Sequence, residues 1–290
     1  MLIAGAVCPH PPLLIPEALG SAASDPPDEL RKVAAAAARA VAGLAAAGPE
    51  VIVVVGGGAA EREYGADAAG GLHAFGVGVT IGAGEPVLPL SLTVGRWLLE
   101  QGGILDGDGP PAGGVAVVFQ EVARSTAAGE CLKLGRILAD RAPRVALLAM
   151  GDACARPARE APEAPDPDAQ DYDEEVAEAL AAADARWLAR LDPALDEELV
   201  VAGRAAWQVL AGAAGGRRMH GRLLCMSAPY GVTYLVASWD EPRPDLCRCP
   251  DRRWHRTPVT CRGKRWLRSG HAVREGTRHR ERLRDPARPR

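Results

Sequence analysis

Three residues of this 290-residue chain stand where side chains can do chemistry: His10, Asp152 and Glu17. His10 lies in Cys8-Pro9-His10-Pro11-Pro12, directly after the apolar stretch 1–7. Proline fixes its own backbone and restricts the residue before it. An imidazole held there has little freedom to lose on binding a metal or a substrate. It can ligate a metal, move a proton or merely hydrogen-bond to backbone. Asp152 follows Gly151 directly after a second apolar stretch, 145–150. It can serve as an acid, a base or a metal donor, or it can cap the following turn. Glu17 ends the proline-rich segment, and Glu61 and Glu121 are further carboxylates. Gly56-Gly57-Gly58 could cradle a phosphate with its N–H groups. It fits neither the dinucleotide fingerprint nor the P-loop pattern, and a plain turn is the preferred reading.

The elements that must hold these residues follow from periodicity. Residues 1–7, 51–55, 115–119 and 145–150 are short apolar runs, which marks strands buried on both faces. The alanine-rich 28–47 reads as a helix ended by Gly48-Pro49. Residues 90–101 and 126–141 read as further helices. Strand and helix alternate through the first 150 residues, which predicts a doubly wound sheet. Ligands of such sheets bind at the C-terminal ends of the strands, where both His10 and Asp152 fall. Residues 59–72 read as loop, and 75–81 as a poor edge strand. Residues 156–167 read as a long loop able to act as a lid, and 168–191 and 199–213 as helices. Residues 222–226 and 233–239 read as two strands around a tight connection.

Composition narrows the function classes. Aromatic residues make up 4% of the chain, so the core is built from Ala, Val and Leu. The net charge of −3 hides an asymmetry: residues 1–240 carry −13 and residues 241–290 carry +10. The acidic body argues against nucleic-acid binding. Seven cysteines occur without a CxxC pair. Cys8, Cys131, Cys154 and Cys225 read as buried, reduced thiols. With neither a signal peptide nor an apolar span in the sequence, a soluble cytoplasmic protein with no membrane partner is expected.

The landmarks, in order, resemble the class III extradiol dioxygenase catalytic B-subunit superfamily, and more closely its actinobacterial branch. The resemblance rests on residues 8–17 (CPHPPLLIPE), on Met150-Gly151-Asp152 and on 168–173. It continues through 203–210 (GRAAWQVL) and 228–234 (APYGVTY), and spans residues 1 to about 239. It implies one α/β domain over 1–240, a three-layer sandwich around a single mostly parallel, mixed sheet. The continuous apolar character of 51–55, 115–119 and 145–150, with helical crossovers between them, places those strands beside strand one in a mostly parallel core. Active members hold Fe(II) with two histidines and a glutamate and leave positions open for a catechol-type substrate and O₂. Carried over by position, His10 matches the first metal histidine. The second would fall near Gly58, an acid/base histidine near Ala155, and the glutamate between Gly203 and Trp207. None of those residue types stands there. His73 and His220 are the imidazoles left to approach from elsewhere in the body.

Two functions compete. In the first, the protein is a non-haem Fe(II)-dependent, aromatic ring-cleaving oxygenase with substituted ligands. His10 is its metal ligand, and Asp152 and Glu17 are catalytic carboxylates. In the second, it is a non-catalytic relative that binds a small anion or a partner protein in the same cleft. The sequence leaves a homo-oligomer open. Residues 241–290 are expected to be a disordered basic tail. Its cysteines and histidines fit no zinc pattern, and its charge would support only weak, salt-sensitive nucleic-acid contact. Its Arg, Pro, Cys, His and Trp content, with no periodicity, reads best as translation from a shifted frame.

Overall fold

The computed structural model describes residues 1–107, 111–155 and 167–242. Its strands are β1 (Leu2–Cys8), β2 (Val51–Gly58), β3 (Arg62–Tyr64), β4 (Ala69–Gly71), β5 (Thr80–Ile81), β6 (Pro86–Leu88), β7 (Ala116–Ala123), β8 (Val145–Met150), β9 (His220–Ser227) and β10 (Tyr234–Asp240). The helices are α1 (Pro16–Leu19), α2 (Asp28–Ala46), α3 (Leu90–Gln101), α4 (Ala128–Ala139), α5 (Pro167–Ala182), α6 (Ala185–Leu188), α7 (Pro193–Glu198) and α8 (Arg204–Ala214).

Seven strands form the main sheet in the order β3-β7-β2-β8-β1-β10-β9. β7, β2, β8 and β1 are mutually parallel, while β3 pairs antiparallel with β7, β10 with β1, and β9 with β10. Because successive side chains point to opposite faces, each central strand feeds two cores. Val145, Leu147 and Ala149 of β8 enter one, with Trp207 of α8 and Val176 of α5. Ala146, Leu148 and Met150 enter the other, with the buried stripe of α2 and Leu92 and Leu99 of α3. Helices on both faces of one mixed sheet make the expected three-layer α/β sandwich. α2 forms because its buried residues Leu30, Val33, Ala37, Ala40, Val41 and Leu44 recur at helical spacing, and Asp28 and Glu29 suit its N-terminal dipole.

Several local expectations are corrected. Of strands 51–55, 115–119 and 145–150, the last alone pairs with β1. β2 sits beyond β8, and β7 beyond β2. Apolar content marks a strand as interior without naming its neighbours. Residues 59–88 are not loop plus one edge strand. They hold β3 on the rim of the main sheet and a second sheet in the order β5-β4-β6. His73–Phe75 is a 3₁₀ turn closed by Gly76 at φ 76°, and only Thr80–Ile81 pairs. The helix expected over 168–191 breaks at Ala183, whose φ is +51°, and Asp184 caps α6 by accepting the N–H groups of Arg186 and Trp187. The helix expected from 199 begins at Arg204, because Val200 at φ +55° turns the chain. Nearly all of the expected lid and the expected tail, residues 156–166 and 243–290, lie outside the described residues.

Candidate functional site

Parallel order brings the C-terminal ends of β1, β2, β7 and β8 to one edge. The residues just past those ends are His10, Ala59, Arg124 and Gly151-Asp152. The antiparallel β10 begins at the same edge, and Thr233 just before it exchanges backbone hydrogen bonds of 2.9 and 3.0 Å with the 153–154 segment. The strand-end rule therefore assembles one site from four separate connections.

His10 and Asp152 meet there. The backbone N–H of His10 donates to Asp152 Oδ1 at 2.8 Å. The imidazole Nδ1 lies 3.5 Å from the same oxygen. His10 is only 5% exposed, and its buried Nδ1 makes no hydrogen bond. Asp152 thus reaches across the sheet edge to hold the proline loop, in place of capping its own turn. Burial lowers the His10 pKa below the ordinary 6.5. The Asp152 carboxylate pulls it up, and the Arg124 guanidinium pushes it further down. The imidazole is accordingly neutral near neutral pH. Beneath Asp152, burial and then the Asp152 charge push the Tyr234 hydroxyl up to about 12.

Gly151 and Gly203 are the contact that closes the floor. A Cβ on Gly151 would overlap the Gly203 backbone, and a Cβ on Gly203 would overlap the Trp207 ring. The Ala202 N–H donates to the Asp152 carbonyl at 3.1 Å, tying the entry of α8 to the strand end. Beside this floor opens a cavity of about 560 Å³, lined by Arg124, Pro193, Glu197, Val201, Ala202 and Ala205 among others. Arg204 underpins it. Its Nε pairs with buried Asp196 at 2.8 Å, and its other nitrogens donate to the Thr126 and Arg124 carbonyls and to Gln208. Tyr172 donates its hydroxyl to Asp196 as well. Burial still pushes Asp196 up to about 6, against the pull of Tyr172 and Arg204.

The remaining sequence candidates lie elsewhere or are occupied. Glu17 is exposed on α1, and Glu61 is exposed after β2. Glu121 is buried, and its carboxylate accepts the Ala59 and Ala60 N–H groups at 2.6 and 3.0 Å and the Tyr64 hydroxyl at 2.7 Å. It pins the turn after the glycine triad. A side chain at Gly58 would overlap that carboxylate. His73 is exposed beside the small sheet. His220 opens β9 opposite Asp240, and β10 ends beside the start of β1, so His220 sits at the far edge of the sheet. Three of the four described cysteines are buried and Cys225 is half-buried, and no disulfide joins any two of them.

The iron set implied by the resemblance does not fit these residues. The position for the second histidine is Gly58, already crowded by Glu121, and Ala155 stands where an imidazole is needed. Arg204, a cation, occupies the stretch expected to supply a carboxylate. Among the described residues no cluster of three or more His, Cys, Asp or Glu side chains is placed to hold a metal ion.

Arg124 and the entry of α8 were missed in the sequence. Arg124 obeys the same strand-end rule as His10 and Asp152. The strand expected over 115–119 continues through polar Gln120 and Glu121 to Ala123, which hid the true end.

No protein-family model matches the chain, and no curated protein matches it. Among solved structures, the chain is similar to an uncharacterised protein, JW3007, of Escherichia coli K12. The two are 15% identical with a TM-score of 0.46, over 82% of this chain and 99% of the other. Among the described residues no helix is long and apolar enough to cross a membrane.

Proposed function

We propose that this chain is an extradiol-dioxygenase-like protein whose sheet-edge cleft binds a small anion and does not cleave aromatic rings. One observation carries the reading: the Arg124 cation lines the cavity of about 560 Å³ and stands near enough to the His10–Asp152 joint for its charge to act on the imidazole. Arg124 forms no ion pair with any described carboxylate. A guanidinium beside a concave, partly apolar cavity is a common way to fix a carboxylate or phosphate. Mostly buried cysteines with no disulfide among the described residues suit a reducing compartment, and we place the protein in the cytoplasm.

The convergence of His10 and Asp152 favours one second reading, a metal-dependent oxygenase acting on a catechol-type substrate. Asp152 would replace a missing histidine, and a third donor would still be required.

Metal analysis of protein purified without oxygen separates the two. The anion reading expects no stoichiometric Fe(II) or Zn(II). It also expects acetate or phosphate to raise the melting temperature of the wild type more than that of Arg124→Gln. Stoichiometric metal that is lost in His10→Ala overturns it.

A further inference from the structure

Two opposite charges that pair with no described residue face one cavity. Arg124 and Glu197 both line the space of about 560 Å³ beside the sheet edge. Neither forms an ion pair with any described residue, and they do not pair with each other. A gap therefore separates a cation from an anion. Both are carried on backbone that one buried group holds in place. Arg204 is 3% exposed, and its guanidinium is always charged. One of its nitrogens donates to the Arg124 carbonyl and another to the Thr126 carbonyl at 2.8 Å, which fixes the segment bearing Arg124 and Ser125. Its Nε pairs at 2.8 Å with Asp196, the one residue of α7 that is buried. The Tyr172 hydroxyl donates to the same carboxylate, and Asp192 caps α7 by accepting the Ala194 N–H at 2.9 Å. Glu197 is the next residue along that helix. The backbone under each of the two charges is thus set by the same guanidinium.

The rest of the lining sets the ligand's character. Pro193, Val200, Val201 and Ala205 supply an aliphatic wall. Asp196 and Arg204 line the cavity too, but each neutralises the other. What remains for a ligand is one positive and one negative group, with room for an apolar body. The volume falls within the range of small-molecule sites, about 300–1,000 Å³. A simple carboxylate would satisfy Arg124 and leave Glu197 facing it as a like charge. A simple amine would satisfy Glu197 and meet the Arg124 cation. An α-amino acid carries a carboxylate and an ammonium on one carbon, beside a side chain that can lie on the wall.

We infer that the cavity binds an aliphatic α-amino acid, with its carboxylate on Arg124, its ammonium on Glu197 and its side chain against Val200, Val201 and Pro193. This rests on the reading of the cleft as an anion site and names the class of ligand.

Titration of the full-length, ¹⁵N-labelled protein tests it with matched probes: leucine, 4-methylpentanoate, which lacks the ammonium, and 3-methylbutylamine, which lacks the carboxylate. Leucine is expected to shift the amide resonances of Ser125, Glu197, Val200 and Val201. It should bind about tenfold more tightly than either truncated probe, the effect of one charge-assisted contact. Arg124→Gln should bring leucine down to the wild-type affinity of 3-methylbutylamine. Glu197→Gln should bring leucine down to that of 4-methylpentanoate without weakening 4-methylpentanoate itself. Both side chains are exposed, so neither change threatens the fold. If 4-methylpentanoate binds as tightly as leucine, or if Glu197→Gln leaves leucine unchanged, the inference is overturned while anion binding stands. If 3-methylbutylamine binds as tightly as leucine, or if no probe moves any resonance of the cavity, both readings fall.

Discussion

Replacing Asp152 with alanine tests the joint on which the site depends. The substitution removes the acceptor of the 2.8 Å bond from the His10 N–H. His10 is 5% exposed, so the orphaned N–H stays largely buried. Hydrogen bonds to an ionised acceptor contribute about 1.5–3 kcal/mol, and a buried donor left alone loses its solvation too. The Asp152 side chain is 15% exposed, which lets water reach the gap and holds the loss near ~2 kcal/mol. In a body of this size that lowers the melting temperature by about 4–8 °C. Asp152→Asn keeps an acceptor oxygen and should lose about half as much. Urea unfolding should show a lower midpoint with an unchanged slope. A second measurement fixes the sign of the electrostatics. Asp152 raises the His10 pKa, so its loss should drive that pKa further down in an NMR titration. His10 already titrates below its unfolded value, so its contribution to stability is fully present above about 6.5 and is lost as pH falls toward the folded value. Asp152→Ala should deepen that acid loss. An unchanged urea midpoint, or a His10 pKa that rises, would refute the reasoning.

Gly151→Ala should destabilise by about 3 kcal/mol or more in urea unfolding, because the new Cβ meets backbone at Gly203 and cannot be relieved by a rotamer change. Glu121→Ala should cost about 2–4 kcal/mol, since it strands two N–H groups and the Tyr64 hydroxyl; faster amide exchange at Ala59 and Ala60 checks the cause. Val200→Asn should stabilise by about 1 kcal/mol in thermal unfolding, because asparagine tolerates the left-handed backbone at φ +55° far better than a β-branched residue.

The sequence by itself determined the layered plan. Four apolar runs separated by helical stretches admit little other than a buried parallel sheet, because only that environment buries both faces of a strand. It also located two of the site's members, since His10 and Asp152 directly follow such runs and strand ends of one sheet share an edge. The tertiary structure decided the rest. Which strands adjoin depends on crossover geometry, and apolar content is blind to it. Ala183 and Val200 leave the helical region under tertiary constraint, where local propensity points the other way. Glu121 looked available as a carboxylate, yet folding brings three donors onto it and removes it from the cleft. Arg124 and the bare N-terminus of α8 come from segments some 80 residues apart. Arg124 sits in no local motif, and the 203–210 stretch supports the resemblance without marking a ligand group. Their juxtaposition exists only once Gly151 and Gly203 pack backbone to backbone.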